Sequence, residues 1–549
     1  VDWLNWNVNK ADEGNSMSSS IRTETQMAFD SPFKNPDHVL TGAVTWITNQ
    51  SQYEWMNIQS NKTPSTDIQD PAIDAQINWI GTGSGETREL GALANLNYKY
   101  GDRYMIQTII RADAHSSFGI NNRWGLFKGI AAAWRFSSEP FMQKFQNLDD
   151  SKLKASWGVS GRQPSDSYAR FARYQTEGNY IEAPAIVPTQ VQLNNLQWEN
   201  MTSYDAGLEL NMFDYRLFVE ANVYLKSTTD LLFGGSSDWQ KYKIPTSSGY
   251  PHFNYLNGGE LENKGWELMF DYKIIQGDFF RWSVNFNTSQ NINTFKDLPD
   301  NFNTEKSTSI GNGEYPLRVL EGEPIGSFFG FRYLGVYPTD QDALARDANG
   351  NLLIDSEGNP FPVTYQNSYA FKGGDAIYED INNDGVIDLN DVVYIGDSNP
   401  DFIGGFGTRF DYKNFDLSVA FHYRLGFDII NQVAIETEGM NNKNNQSKAV
   451  LSRWRVQGQD EEGMLPRAYL WHPANNLGSD RYVEEGDFLR LNNVKLGYRL
   501  RKDWCDRIGV RSMALAVSAR KMITFTNYSG QDPEVGQDAS NPFWIGVDY

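Results

Sequence analysis

Phe415-Asp-Leu-Ser-Val-Ala-Phe-His-Tyr423 alternates strictly between two kinds of side chain. Phe415, Leu417, Val419, Phe421 and Tyr423 fall on one side, and Asp416, Ser418, Ala420 and His422 on the other. A two-residue period belongs to an extended strand, whose successive side chains point to opposite faces. The same period recurs where Trp266, Leu268, Phe270 and Tyr272 alternate with Glu267, Met269, Asp271 and Lys273. It recurs again at Trp282, Val284 and Phe286. Helical periodicity is sparse, and short helices are expected only near Asp340–Arg346 and residues 444–454. One apolar face, one wet face and aromatics at segment ends suit strands that cross a bilayer around a polar lumen. The alternation alone equally suits half-buried sheets in a soluble β protein.

Connection lengths separate the two. Tight breaks at Gly101-Asp102 and Gln276-Gly277-Asp278 join strand pairs, while long polar segments occupy 57–86, 160–196, 234–258, 296–321, 337–400 and 440–480. Short turns on one side and long loops on the other mark outer-membrane barrels. The fold class expected is therefore all-β, a transmembrane antiparallel barrel, with about fourteen to sixteen strands of ~10 residues each in this chain. No run approaches the ~18 apolar residues of a spanning helix, which leaves barrel strands untouched.

Composition narrows function. The 28 Tyr, 32 Phe and 16 Trp suit strands and interfacial girdles. A net charge of −21 makes nucleic acid a poor partner, because such binding relies on Lys and Arg against phosphate. Cys505 is the single cysteine, so no intrachain disulfide and no cysteine-based zinc or redox motif can form.

The strongest site signal is Asp380-Ile-Asn382-Asn-Asp384-Gly385-Val386-Ile-Asp388-Leu-Asn-Asp391. Asp380, Asn382, Asp384, Asp388 and Asp391 place side-chain oxygens at loop positions 1, 3, 5, 9 and 12. Val386 offers its carbonyl at 7, and Gly385 supplies the sharp turn at 6. This is the spacing of an EF-hand-type calcium loop. Asp391 stands where a longer Glu usually binds through both oxygens, and the flanking helices of a true EF-hand are not evident, so a structural Ca²⁺ pinning a long loop is expected rather than a sensor; an Asp/Asn/Gly-rich turn that binds nothing is the alternative reading. Asp347-Ala-Asn349-Gly350-Asn351 is shorter and reads as a turn.

Catalytic patterns are thin. His38, His115, His252, His422 and His472 show no HExxH spacing, and no GxSxG elbow occurs. Gly81-Thr-Gly83-Ser-Gly85 is followed by Glu86-Thr87, not by the Lys-Ser/Thr of a phosphate loop. The chain is not expected to be an enzyme. Loop aromatics suited to stacking on sugar rings are Trp239, Tyr242 and Tyr255, with Tyr250, Phe253 and Trp471 behind them; loop packing explains any one of them as well.

Ordered blocks add a resemblance. Ile110-Arg111-Ala-Asp113, Ser116-Ser117-Phe118, Asn121-Asn122-Arg123-Trp124-Gly125, Trp134 and Glu139-Pro-Phe141-Met142 are similar to the barrel of the SusC/RagA family, TonB-linked outer-membrane transporters of Bacteroidetes. Trp157-Gly158, Asn263-Lys-Gly265-Trp266-Glu267, Gly322-Glu-Pro324, Asp480–Leu491 and Tyr528–Glu534 follow in family order. Ala114-His115 departs from the family's usual Gly-Ser.

The resemblance implies one receptor-type barrel domain over residues 1–549, partial because the family's plug and roughly 22 strands exceed this chain. A long insertion at about 337–400 carries the 380–391 loop. It also implies a Gram-negative outer-membrane setting in lipid, a SusD-like surface lipoprotein as lid, and TonB-ExbB-ExbD acting through the plug. The cargo implied is an oligosaccharide, with an oligopeptide as the alternative. A secreted, calcium-binding, glycan-binding β protein is the alternative of another class.

Overall fold

The computed structural model describes residues 10–61, 70, 76–181, 183–234, 255–299, 313–316, 318–535 and 547–548. Fourteen long strands form one sheet whose hydrogen-bonded order follows the sequence. They are β1 (Lys10–Phe29), β2 (His38–Asn61), β3 (Gln76–Tyr100), β4 (Tyr104–His115), β5 (Trp124–Trp134), β6 (Leu148–Arg162) and β7 (Glu199–Met212). The others are β8 (Leu217–Thr229), β9 (Glu260–Gln276), β10 (Phe280–Asp297), β11 (Phe402–Tyr412), β12 (Phe415–Leu425), β13 (Phe488–Arg499) and β14 (Ala514–Thr526). Among the described residues no helix is long and apolar enough to cross a membrane, which says nothing against crossing by strands.

Two compact units divide the chain. The first comprises Val1–Ser138, Lys154–Tyr204 and Ser227–Glu260. Here β2, β3, β4 and β5 lie in antiparallel register, with Trp46, Ala92, Ala112 and Leu126 in one cross-strand row. Val44, Trp46, Leu90, Leu96, Ile110, Leu126 and Ile130 on that face are all exposed. So large an apolar surface needs a membrane or a partner to cover it. The opposite face carries Asn49, Glu89, Arg111, Asp113 and His115. Gly101 and Asp102 both take φ of 53°, as the tight turn between β3 and β4 requires. A satellite core of Phe118, Phe127, Ala169, Leu196, Trp198 and Tyr255 packs the loops of this unit.

The second unit comprises Glu139–Leu153, Asp205–Lys226 and Leu261–Tyr549. The alternation of Phe415–Tyr423 becomes a register here. Phe286, Phe406 and Phe421 form one row across β10, β11 and β12, and Trp282, Phe410 and Leu417 form another. Phe406 and Phe421 stack with centroids 4.9 Å apart, Trp282 and Phe410 at 5.6 Å. Aromatic cross-strand pairs of this kind fix register as well as adding stability. On the other face Asn285 and Asn287 pair with Gly407 and Gly405.

Several expected loops are more ordered than composition suggests. Residues 57–61 and 76–86 belong to β2 and β3, because their Gly, Ser, Thr and Asn side chains still leave every ladder bond available. Segment 160–196 contains a hairpin of Arg173–Tyr180 with Ala183–Gln190. Segments 337–400 and 440–480 fold together, burying Tyr337, Phe371, Tyr378, Ile387, Ala474 and Leu477 in one core.

The helix expected at Asp340–Arg346 is absent. Ala345 N–H donates to the Phe361 carbonyl, and Leu344 and Arg346 bridge Pro362 and Leu352, so the segment's hydrogen bonds go to neighbouring chain. The helix expected over 444–454 shortens to a 3-10 turn at Lys448–Ser452, capped by the Ser447 hydroxyl. An unforeseen α-helix, Gln432–Glu438, is capped by Asn431.

Candidate functional site

The 380–391 segment makes a sharp turn at Asn383–Gly385, where Asn383 and Gly385 take φ of 57° and 80°. Val386 opens a two-residue strand that runs parallel to Thr364–Tyr365, and this places Ile387 in the core. Asp380 accepts from Asp384 N–H at 3.2 Å and Gly385 N–H at 2.8 Å, and Asp384 accepts from Val386 N–H at 2.8 Å. Asn382 accepts from Asp384 N–H and donates to the Asp384 carboxylate.

Asp388 caps the short 3-10 turn Leu389–Asp391 and closes a capping box with Asp391. The Asp391 carboxylate is fully buried and accepts from Ile381 N–H and Asp388 N–H, each at 2.9 Å.

This winding leaves negative charge uncompensated. Among the described residues none of Asp380, Asp384, Asp388 and Asp391 forms an ion pair with Lys or Arg. The nearby Arg318 guanidinium donates instead to the carbonyls of Leu389 and Val392. Burial pushes the Asp391 carboxyl above the usual carboxylate range, and the charges of Asp380 and Asp388 push it the same way. Asp380 is raised by burial and by Asp384, against the pull of the Gly385 and Asp384 amides. Buried carboxylates that repel one another are what a divalent cation relieves.

No group of three or more His, Cys, Asp or Glu side chains is gathered for a metal among the described residues. Asp380, Asp384, Asp388 and Asp391, four of the six predicted ligands, are thus not brought together as a cluster here. The donor set fits calcium in its chemistry, and its carboxylates serve backbone amides in this structure.

The aromatic candidates divide. Trp239, Tyr242, Tyr250 and Phe253 lie outside the described residues. Tyr255 is buried in the satellite core with Phe118 and Trp198, so its ring faces serve packing. Trp471 stands exposed at φ 62°, with the Lys443 ammonium 6.0 Å from its ring. Asp347 accepts from the amides of Asn349 and Asn351, which makes its segment the turn its sequence suggests.

The sequence reading passed over a concave site of about 390 Å³ on the polar face of the first unit. Glu89, Arg111, Asp113, His115, Gln163 and Trp198 line it. Gly91 and Gly161 keep it open: a Cβ at the first would meet Asp113, and at the second Phe127 and Trp198. The signal available in sequence was small residues alternating with polar ones at Glu89-Leu-Gly91 and Arg111-Ala-Asp113.

Residues 3–517 match the model of the family described as TonB dependent receptor-like, beta-barrel. A TonB-dependent receptor of Formosa agariphila is 30% identical over 542 residues, covering 94% of this chain and 50% of the relative. The TonB-dependent receptor SusC of Bacteroides thetaiotaomicron is 27% identical over 471 residues, covering 82% of this chain and 42% of that protein. The chain thus spans about half the length of the curated relatives it matches. Among solved structures, the RagAB peptide transporter superposes with a TM-score of 0.75 at 20% identity, over 98% of this chain and 54% of the other.

Proposed function

Because the chain belongs to the TonB dependent receptor-like β-barrel family, we propose that it forms part of the wall of an active importer of the SusC/RagA type in a Gram-negative outer membrane. The observation that carries this reading is the family match across 3–517 of a chain whose strands pair in sequence order. The exposed apolar row of the first unit would face outer-membrane lipid, and its polar row a wet lumen. The whole protein would work with a SusD-like lipoprotein lid and draw on TonB-ExbB-ExbD through a plug. Its work would be binding, closure and release, with no covalent chemistry.

Oligosaccharide is the cargo favoured here, since the polar face of the first unit offers carboxylates and amides to hydroxyl groups. Oligopeptide is the second reading, and what favours it is the fold likeness to a peptide transporter.

Deleting the gene in its host is expected to abolish uptake of a labelled oligosaccharide and to spare labelled peptides. Collapsing the proton gradient should abolish the same uptake. Purification from outer membranes should require detergent and bring a lipid-modified partner with it. Release of the intact gene product without detergent would instead make it a secreted calcium-binding, glycan-binding protein.

The 380–391 loop would hold one structural Ca²⁺ through Asp380, Asn382, Asp384, the Val386 carbonyl, Asp388 and Asp391. Asp380→Ala with Asp384→Ala is expected to remove a stoichiometric calcium seen by elemental analysis and to open 337–400 to protease. Unchanged metal content and cleavage would refute the site.

A pH dependence follows. A carboxyl raised in the folded loop favours folding when protonated. That contribution is complete below its unfolded value of ~3.9 and is lost as pH rises through the higher folded value. In chelator the loop should therefore resist an acid-tolerant protease better in mild acid than at neutrality, and added Ca²⁺ should restore resistance at neutral pH.

A further inference from the structure

We propose that Tyr53, Trp55 and Trp79 form a flat aromatic track for the sugar rings of an oligosaccharide, leading along β2 and β3 into the cavity of Glu89, Arg111 and His115. The proposal rests on the oligosaccharide-import reading and names where the cargo touches the wall.

The track is built by a glycine row. Gly81, Gly83 and Gly85 occupy alternate positions of β3, on one face. A Cβ at Gly81 would run into the Trp79 ring, at Gly83 into Trp55, and at Gly85 into Tyr53. Each ring therefore lies down on bare backbone, one face covered and the other turned outward. Trp55 and Trp79 are 21° from parallel with centroids 6.4 Å apart. All three rings are exposed, between 39% and 47%. The Gly-x-Gly-x-Gly run, which lacks the Lys-Ser/Thr of a phosphate loop, has its structural reason here. On the neighbouring strand, Ser16 and Ser18 pair with Trp55 and Tyr53, adding hydroxyls beside the rings.

Register carries the track into the cavity. Tyr53 pairs with Gly85, Ser51 with Thr87 and Asn49 with Glu89, while Glu89 pairs in turn with His115. Gly85 and Glu89 are four positions apart, roughly 13 Å of strand, and both lie on the same face.

The cavity holds a buried imidazole beside a carboxylate. His115 is 3% exposed, and its Nδ1 accepts from Ser117 N–H at 3.2 Å, which puts the neutral ring's proton on Nε2. Nε2 lies 3.3 Å from Glu89 Oε1, its nearest acceptor. A buried donor beside a carboxylate, with an Arg111–Asp113 pair across the cavity, can give and accept hydrogen bonds around one hydroxylated ring.

The chemistry favours sugar over peptide. Backbone groups of β2 are committed to ladders on both sides, whereas β3 pairs with β4 only over Glu89–Tyr100, so the preference for sugar rests on the bare ring faces and the hydroxyls beside them and not on the lack of a strand edge. The apolar C–H faces of sugar rings need only the exposed ring faces, and their hydroxyls the polar flanks.

The test uses the full-length transporter, detergent-purified with whatever partner accompanies it, and a panel of short neutral oligosaccharides alongside hexapeptides. Calorimetry and tryptophan quenching should find an oligosaccharide that binds the wild type. Trp55→Ala with Trp79→Ala should weaken it roughly tenfold to a hundredfold, the scale of one aromatic contact per ring. Gly83→Ser, which keeps both indoles but displaces Trp55, should weaken it as well, and Trp55→Phe with Trp79→Phe should largely restore it.

Failure of every oligosaccharide to bind the wild type, or undiminished binding by the double alanine variant, overturns the track. If that variant also takes up oligosaccharide normally while gene deletion abolishes uptake, the import reading stands without the track. Binding and uptake of hexapeptides alone would remove both.

Discussion

Asp375→Ala is expected to unfold the packed surface region around residues 327–482 locally, at a cost of about 3–5 kcal/mol. Asp375 is fully buried. One carboxylate oxygen accepts from Arg467 Nε at 2.7 Å and Asn475 Nδ2 at 2.9 Å. The other accepts from Tyr369 Oη at 2.7 Å and Lys372 N–H at 3.0 Å. The side chain thus ties the 369–376 stretch to the 467–475 stretch. Truncation leaves a largely buried guanidinium without its counter-charge and takes an acceptor from Asn475, Tyr369 and Lys372, and desolvated donors are costly to leave unmade.

Hydrogen exchange should report it at Ala376, whose N–H donates to the Asn475 side chain, and at Tyr337, whose N–H donates to the Asp375 carbonyl. Exchange there should accelerate roughly a hundredfold or more, at tenfold per 1.4 kcal/mol. Adding Arg467→Ala should recover part of the loss, because the second truncation removes the stranded charge. Unchanged protection in the single variant would mean the network contributes nothing to the region's stability.

That network also marks the limit of what sequence discloses. The strand alternation of Phe415–Tyr423 is local, since each side chain's face follows from its neighbours two positions away, and it was legible. The sharp turn within Asp380–Asp391 was legible for the same reason: Gly385 and the Asx turns act over five residues or fewer. The partners Asp375 and Arg467 stand 92 positions apart, and nothing in either neighbourhood points to the other.

Trp55 lies over Gly83 across β2 and β3. Read alone, Gly81–Gly85 has the composition of a loop, and only the opposing strand turns it into a floor for rings. Tyr255 misleads in the opposite direction. It stands among polar loop residues in sequence, yet Phe118 and Trp198, both distant along the chain, bury it.

Arg490 makes the second large effect. It sits in β13 with 2% of its side chain exposed, between His422 of β12 and Thr524 of β14 in register. Its guanidinium pairs with Asp532 and Glu534 and donates through Nε to Thr524 Oγ1 at 2.9 Å. Those carboxylates belong to the Tyr528–Glu534 segment, which this pairing folds back against the sheet.

Removing both negative charges with Asp532→Asn and Glu534→Gln leaves a buried cation without a counter-charge, and about 3–5 kcal/mol of destabilisation is expected. The segment should become a protease site. Arg490→Met should cost less, because Asp532 is half exposed and Glu534 keeps Lys521 at 3.6 Å and Arg424 at 4.0 Å.

Acid should act through Asp532. Burial raises its carboxyl, but the Glu534 amide and Arg490 outweigh that and hold it below the usual range. A depressed carboxyl stabilises above its unfolded value of ~3.9 and ceases to as pH falls through the folded one. The segment should therefore stay docked through mild acid and release only at stronger acidity, and Arg490→Met should move that release to higher pH. Equal cleavage of both variants and wild type at neutral pH would show that the ion cluster does not hold the segment down.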